Sequence, residues 1–149
     1  MTSSAEHSRF LPPGDIHHIG IIVPDIAAAV ADYRRLGFLA GETTRVPEQN
    51  VDIAAIRAGN SWIELMSPID HDSGLGRFLA NRGQGIHHVA YLVDDLRATL
   101  AGLAAGGVEL IDREPRVGLH GWVIAFIHPR SCAGVLTELV ERASTEAGH

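Results

Sequence analysis

Apolar and polar positions alternate over residues 16 to 23, with His18, Gly20 and Ile22 on one face and Ile19, Ile21 and Val23 on the other. A two-residue period is that of a strand. Pro24-Asp25 ends the run, and Asp25 is placed to cap a helix over about 26 to 36, with Gly37 as its stop. The pattern then returns. A predicted strand over 86 to 93 leads to a cap at Asp94 or Asp95, a helix to about Ala105 and a stop at Gly106-Gly107. Three further strands are predicted after each helix: about 38–45, 51–57 and 61–66 in the first half, and about 108–114, 121–127 and 134–140 in the second. Each half therefore reads β-α-β-β-β. Residues 68–85 connect them through a short amphipathic helix, about Gly74 to Asn81, with Leu75, Phe78 and Leu79 as its apolar face.

The repeat extends to residue identity. Ile16-His17-His18-Ile19-Gly20-Ile21-Ile22-Val23 returns as Ile86-His87-His88-Val89-Ala90-Tyr91-Leu92-Val93, an offset of 70 residues. Trp62-Ile63-Glu64-Leu65-Met66 returns as Leu136-Thr137-Glu138-Leu139-Val140, an offset of 74 residues. Each half thus supplies one strand bearing His and one bearing Glu. On the His strands the same-face neighbour is tiny (Gly20, Ala90), while the other face is bulky (Ile19, Ile21, Val23; Val89, Tyr91, Val93). That contrast predicts a helix packed on the bulky side and open space on the His side.

Composition narrows the class. At 149 residues the chain is of one-domain size, and a half of about 65 to 70 residues is marginal alone, because it buries too little surface. The expectation is one domain over 15–141: module one about 15–67, the connector 68–85 and module two about 86–141, with a loose arm at 1–14 and a frayed tail at 142–149. The formal charge is −6 and no Lys/Arg run is present, which opposes nucleic-acid binding. No apolar run reaches the ~20 residues of a membrane span, and the start, Met1-Thr2-Ser3-Ser4, lacks a signal-peptide pattern. A single cysteine, Cys132, fits a reducing compartment, so the expected setting is cytoplasmic. Cys132 itself reads as a small loop or core residue.

Divalent first-row ions accept imidazole nitrogen and carboxylate oxygen together, and a six-coordinate ion with four protein ligands keeps two positions for a chelating substrate. One His at a strand start usually bonds locally. His and Glu recurring at matched positions in both halves instead mark His18, Glu64, His88 and Glu138 as candidate ligands, provided the sheet curls into a trough. An isolated carboxylate between apolar neighbours, as at Glu64 and Glu138, is costly to bury unless paired or metal-bound. His17 and His87 fall on the opposite face and suit structural hydrogen bonding. His128, in Ile127-His128-Pro129, is structural or pocket-lining.

Five stretches carry a family resemblance: His17-His18-Ile19-Gly20-Ile21-Ile22-Val23-Pro24-Asp25, Pro47-Glu48-Gln49, Glu64-Leu65-Met66-Ser67-Pro68, Gly85 to Asp95, and His128-Pro129-Arg130-Ser131-Cys132-Ala133-Gly134-Val135-Leu136-Thr137-Glu138-Leu139. From about Ile16 to Glu141 the chain resembles the vicinal-oxygen-chelate (glyoxalase/bleomycin resistance/dioxygenase) superfamily, and within it the methylmalonyl-CoA epimerases. The His phrases mark the superfamily; Pro47-Glu48-Gln49 and the C-terminal phrase are more specific to the epimerases. The resemblance implies an α+β fold of paired βαβββ modules, with a curled mixed sheet around a metal site, usually as a homodimer. It implies a divalent ion such as cobalt (nickel, manganese or zinc being alternatives) held by His18, His88 and Glu138, with the fourth site at Glu64, where bacterial epimerases often have Gln. Glu48 matches the second acid/base carboxylate, beside Glu138. The implied activity is epimerisation of a 2-alkylmalonyl-CoA by proton abstraction at C2 through a metal-chelated enolate.

Three positions depart from that pattern: Glu64, Asn50 where Gly is common, and Trp122 where a smaller or polar residue is expected. Two His and two Glu are also the glyoxalase I set. A glyoxalase I-like lyase acting on a thiol adduct, or a non-catalytic ligand-binding member of the superfamily, is therefore the alternative reading. An extradiol dioxygenase would use two His and one Glu on iron, which the fourth ligand-type residue and the Pro47-Glu48-Gln49 loop oppose.

Overall fold

A computed structural model describes residues 13–143. The first half runs β1 (Ile16–Ile22), α1 (Ile26–Arg35), β2 (Thr44–Val46), β3 (Val51–Ala58) and β4 (Ser61–Pro68). Helix α2 (Gly74–Arg82) follows. The second half runs β5 (Gly85–Val93), α3 (Leu96–Ala105), β6 (Arg116–Val117), β7 (Val123–Ile127) and β8 (Thr137–Glu141). This is the predicted α+β order of two βαβββ modules.

The helices begin where acceptors meet their first free N–H groups. Asp25 accepts from the Ala28 amide at 3.1 Å, and Asp95, rather than Asp94, accepts from Ala98 at 3.0 Å. The Ser73 hydroxyl accepts from Gly76 at 3.0 Å and starts α2. At the far end of α1, Arg34 and Arg35 oppose the negative end of the helix dipole.

The chain divides into two compact units. One is His18–His88; the other comprises the described residues through His17 and those from Val89 onward. Helix α2, His87 and His88 fall in the first of these units. In the first unit the strand order is β2-β3-β4-β1, with β3–β4 antiparallel and β4–β1 parallel. Val23, Val30, Ala54, Ile56 and Leu65 form its buried core, with Ile21, Tyr33 and Ile63 packed against them. The bulky face of β1 thus lies under α1, as residue size predicted. In the second unit the order is β5-β8-β7-β6, with β5–β8 parallel and β7–β8 antiparallel. Leu96 and Leu100 of α3 are buried on Val93, Ala125, Ile127 and Leu139. A smaller cluster joins Ala90, Ile124 and Val140 with Leu92, Trp122 and Phe126.

The strands predicted at 38–45 and 108–114 are not formed as such. Ala40 and Leu110 each make one isolated bridge, to Ile56 and Ile127, and pairing resumes at the shorter β2 and β6. In the second half the cause is visible. The Ile111 and Asp112 amides both donate to the Phe126 carbonyl, at 3.0 and 3.1 Å, while the Asp112 carboxylate accepts from the Phe126 amide at 2.8 Å. A side chain has taken the ladder's place. Strand β8 starts three residues later than predicted because Ala133 and Gly134 adopt positive φ, 55° and 87°, and turn the chain first.

Gly14 and Arg142, expected in the arm and tail, are tied to β5: the Gly14 amide donates to Leu92 O at 2.7 Å, and the Arg142 amide to Val93 O at 2.8 Å. The remainder of the expected arm, 1–12, and of the tail, 144–149, lies outside the described residues. Truncating Leu139, 1% exposed, to Ala should cost about 2–5 kcal/mol in urea unfolding. Asp95→Ala should cost about 1 kcal/mol. Asp94→Ala, which removes an exposed pair with Arg142, should change stability by less than about 1 kcal/mol.

Candidate metal centre

Strand register assembles the centre. The parallel pairing of β1 with β4 sets Gly20 opposite Glu64 and His18 opposite Trp62, so alternation puts His18, Gly20 and Glu64 on the side away from α1. His88 enters from β5. The three side chains are buried (His18 1%, Glu64 4% and His88 3% exposed), and one ligand-type atom from each lies within 4.8 Å of the others. The two imidazoles present Nε2 to Nε2 at 3.0 Å, with their ring planes at 88°.

Gly20 makes room for this. A Cβ there would lie 2.2 Å from Cε1 and 2.5 Å from Nδ1 of His88, inside any tolerable contact. The small residue beside His18 therefore seats a ring rather than opening a void.

The donors fit a divalent cation. Ligand nitrogens about 2.1 Å from one ion and at right angles stand about 3.0 Å apart, which is the Nε2 separation found here. Two imidazoles and a carboxylate suit first-row ions of borderline softness. Burial, and then the neighbouring His87, push the His88 pKa down to about 3, so at neutral pH its ring is uncharged and has a lone pair for a metal. His87 is also held below the usual histidine range, by burial first and by the Arg82 charge second, with Glu64 opposing.

The other predicted site residues are placed as follows. Glu138 sits on β8, 5% exposed, in register between Ala90 of β5 and Phe126 of β7, in the second unit. Glu48 is exposed in a single 3-10 turn, Pro47–Gln49. Asn50 closes that turn in the left-handed conformation (φ 58°, ψ 40°), which Gly and then Asn adopt most easily. Its carbonyl accepts from Ile69 at 3.0 Å and its side chain from Asp70 at 3.2 Å. Asn at this position therefore keeps a glycine's backbone and adds a clamp on the Glu48 turn.

His17 packs edge-on against Trp122, ring centroids 4.5 Å apart, and His120 lies over the same indole at 4.4 Å. His87 stacks on Phe78 of α2 at 4.7 Å and meets His88 Nδ1 to Nδ1 at 2.9 Å. Alternation had sent His87 to the opposite face, so this contact was missed; the signal for it was the His-His doublet itself. His128 is structural: its Nδ1 accepts from the Arg130 amide at 3.0 Å and starts the Pro129–Ser131 turn. Cys132 is half-buried against the core beneath α3. Among the described residues no helix is long and apolar enough to cross a membrane.

The profile of the Glyoxalase/Bleomycin resistance protein/Dioxygenase superfamily matches residues 17–126. The chain belongs to this superfamily. Within the superfamily it is 35% identical over 128 residues to human mitochondrial methylmalonyl-CoA epimerase, covering 85% of this chain and 73% of that protein. It is 37% identical over 129 residues to the ethylmalonyl-CoA/methylmalonyl-CoA epimerase of Cereibacter sphaeroides, covering 85% and 96%. A solved structure of a Streptomyces coelicolor methylmalonyl-CoA epimerase variant, in complex with 2-nitronate-propionyl-CoA, superposes with a TM-score of 0.81 at 38% identity, covering 89% of this chain and 97% of that one.

Two outcomes test the geometry of this candidate site. Gly20→Ala should displace the His88 ring and weaken cobalt binding to chelator-stripped protein by about 10-fold or more in calorimetry, since ligand orientation carries that much affinity. The second outcome concerns acid. The unfolded chain binds a proton on His88 near pH 6.5, whereas the folded metal-free chain resists it to about 3. The unfolded state therefore holds more protons in that window. The His88 contribution should be intact above pH 6.5 and fade as pH falls towards 3. Urea midpoints of metal-free wild type should drop more steeply across this window than those of His88→Gln.

Proposed function

We propose that this chain epimerises a 2-alkylmalonyl-CoA thioester at C2, with methylmalonyl-CoA or a close homologue as substrate. The observation that carries the reading is the buried His18–Glu64–His88 group, set in a chain similar to named methylmalonyl-CoA epimerases along most of its length. The likeness makes it a methylmalonyl-CoA epimerase-like isomerase. That the reaction needs a metal, and that it passes through an enolate, are part of the proposal.

His18, Glu64, His88 and Glu138 would hold the ion. Bound there, a divalent ion supplies Lewis acidity to substrate oxygens beside C2. The proton at C2 lies between two carbonyl groups and leaves as charge spreads onto their oxygens. Inversion then requires one carboxylate on each face of the planar carbon, each taking a proton in one direction and returning it in the other. Glu48 and Glu138 are assigned these roles. Glu48, exposed in a turn clamped by Asn50, can exchange its proton with solvent. Glu138, buried on β8, can retain one for return.

The same reading takes cobalt as the ion, a homodimer of single domains spanning 15–141, and a cytoplasmic setting. The donor chemistry accepts nickel, manganese or zinc as well. Glu64 favours one second reading, a glyoxalase I-like lyase on a thiol adduct, because it completes two His and two Glu; a ligand-binding member of the superfamily would chelate without turnover.

The deciding assay is deuterium incorporation at C2 of methyl- and ethylmalonyl-CoA in heavy water. Exchange should require added cobalt, and Glu48→Gln should lower the interconversion of the two C2 epimers by about 10²–10⁴-fold, the usual worth of a positioned acid/base, while the epimer whose proton faces Glu138 still exchanges. Metal-independent exchange would remove the ion from the reading, whereas no exchange with either thioester alongside turnover of a thiol hemithioacetal would remove the epimerase reading. Glu64→Gln should bind cobalt more weakly, yet exchange C2 deuterium faster per loaded site, because one negative charge beside the developing anion is gone.

A further inference from the structure

We infer that His87 is a positioning residue: its Nδ1 accepts the Nδ1 proton of His88 and so keeps the Nε2 of His88 bare and turned to the metal. The inference rests on the metal reading above and extends it to a residue that does not touch the ion.

A neutral imidazole carries one proton and one lone pair, on different nitrogens. Nε2 of His88 faces Nε2 of His18 at 3.0 Å and is the atom aimed into the ligand group. Nδ1 of His88 lies 2.9 Å from Nδ1 of His87. For Nε2 to be the ligand, the proton of His88 must sit on Nδ1, and the atom it meets is then an acceptor. A neutral His87 with its own proton on Nε2 supplies that acceptor. The opposite tautomers would put a proton on Nε2 of His88 and block ligation there. Metal-bound histidines commonly have their second nitrogen held by such a partner, which fixes the ring's tautomer and orientation.

The fold holds His87 to this role from the outside. Phe78 of α2 packs edge to face on its ring at 4.7 Å, and the Arg82 guanidinium lies over Phe78 at 5.2 Å. That packing fixes the plane of the His87 ring and the direction of its Nδ1. The equivalent residue of the first repeat, His17, packs on Trp122.

The test uses zinc-loaded protein with 15N-labelled histidine. A scalar coupling between the two Nδ1 nuclei, across the N–H···N bond, is expected in wild type. Its absence, with the Nδ1 proton of His88 exchanging as fast as an exposed one, overturns the inference. Independently, His87→Phe keeps the ring against Phe78 and removes the acceptor. It should weaken zinc affinity by about 10–100-fold in chelator competition, while the thermal unfolding midpoint of the metal-free protein stays near wild type. Affinity equal to wild type in that variant also overturns it. His87→Gln, whose side-chain oxygen can accept, should recover part of the loss. If wild type binds no zinc at all, the metal reading itself has failed, a result separate from any His87 effect.

Discussion

The His88 imidazole lies against the backbone of β1 with its Nε2 3.0 Å from that of His18, and this contact constrains much of the first unit. Three polar side chains are withdrawn from water here, which costs free energy unless each finds a partner. The requirement reaches outward through the chain. Residue 20 must lack a Cβ, since one would stand 2.2 Å from the ring. The parallel register of β1 and β4 must set Gly20 opposite Glu64. A slip of one residue would turn His18 towards α1 and an isoleucine towards the carboxylate. The apolar packing of Ile21, Val23 and Leu65 beneath α1 is what makes that slip expensive, so the core on one face enforces the chemistry on the other.

The internal repeat explains the symmetry of the parts, and its breakdown explains their use. Both halves place a His doublet on one strand and a Glu on another. The doublets have nonetheless diverged in what they touch. His87 reaches the ring of its neighbour and is backed by Phe78 from the connector helix, whereas His17 lies edge-on to Trp122. A connector helix occurs once per chain, so the half it joins gains a support that duplication alone could not provide. Glu48, in the Pro47–Gln49 turn, likewise lies outside the repeated phrases, whereas Glu64 is matched by Glu138.

Most of the fold was legible because two periods dominate it. Alternation over 16–23 and 86–93 located β1, β5 and their buried faces, and Asp25 and Asp95 marked where the helices start. What was not legible came from local competition for backbone hydrogen bonds. Asp112 replaces a strand partner with its carboxylate, and the positive φ at Ala133 and Gly134 delays β8. Neither follows from hydrophobic pattern. At the site, size contrast pointed to the His18–Gly20 face, and recurrence selected His18, Glu64 and His88. The contact between His87 and His88 escaped, because alternation describes where side chains leave the backbone and not how far a ring nitrogen reaches.

Glu64 bears on how such a site balances holding its ion against using it. A buried carboxylate strengthens attraction for a dication, and two carboxylates neutralise it. A neutral centre draws a developing anion less strongly than one that retains a positive charge. The structure supplies no buried lysine or arginine beside Glu64 among the described residues to shift that balance back. The neighbourhood is instead kept free of extra charge: His88 stays neutral to about pH 3, and the column of Arg82, Phe78 and His87 leaves its one cation at the outer end. Under the epimerase reading proposed above, stabilisation of negative charge at C2 would come from the ion and from two carboxylates, one buried and one exposed. On that same reading the geometry of the Glu48 turn, held by the two hydrogen bonds that Asn50 accepts, would matter as much to the choice of reaction as the ligands do.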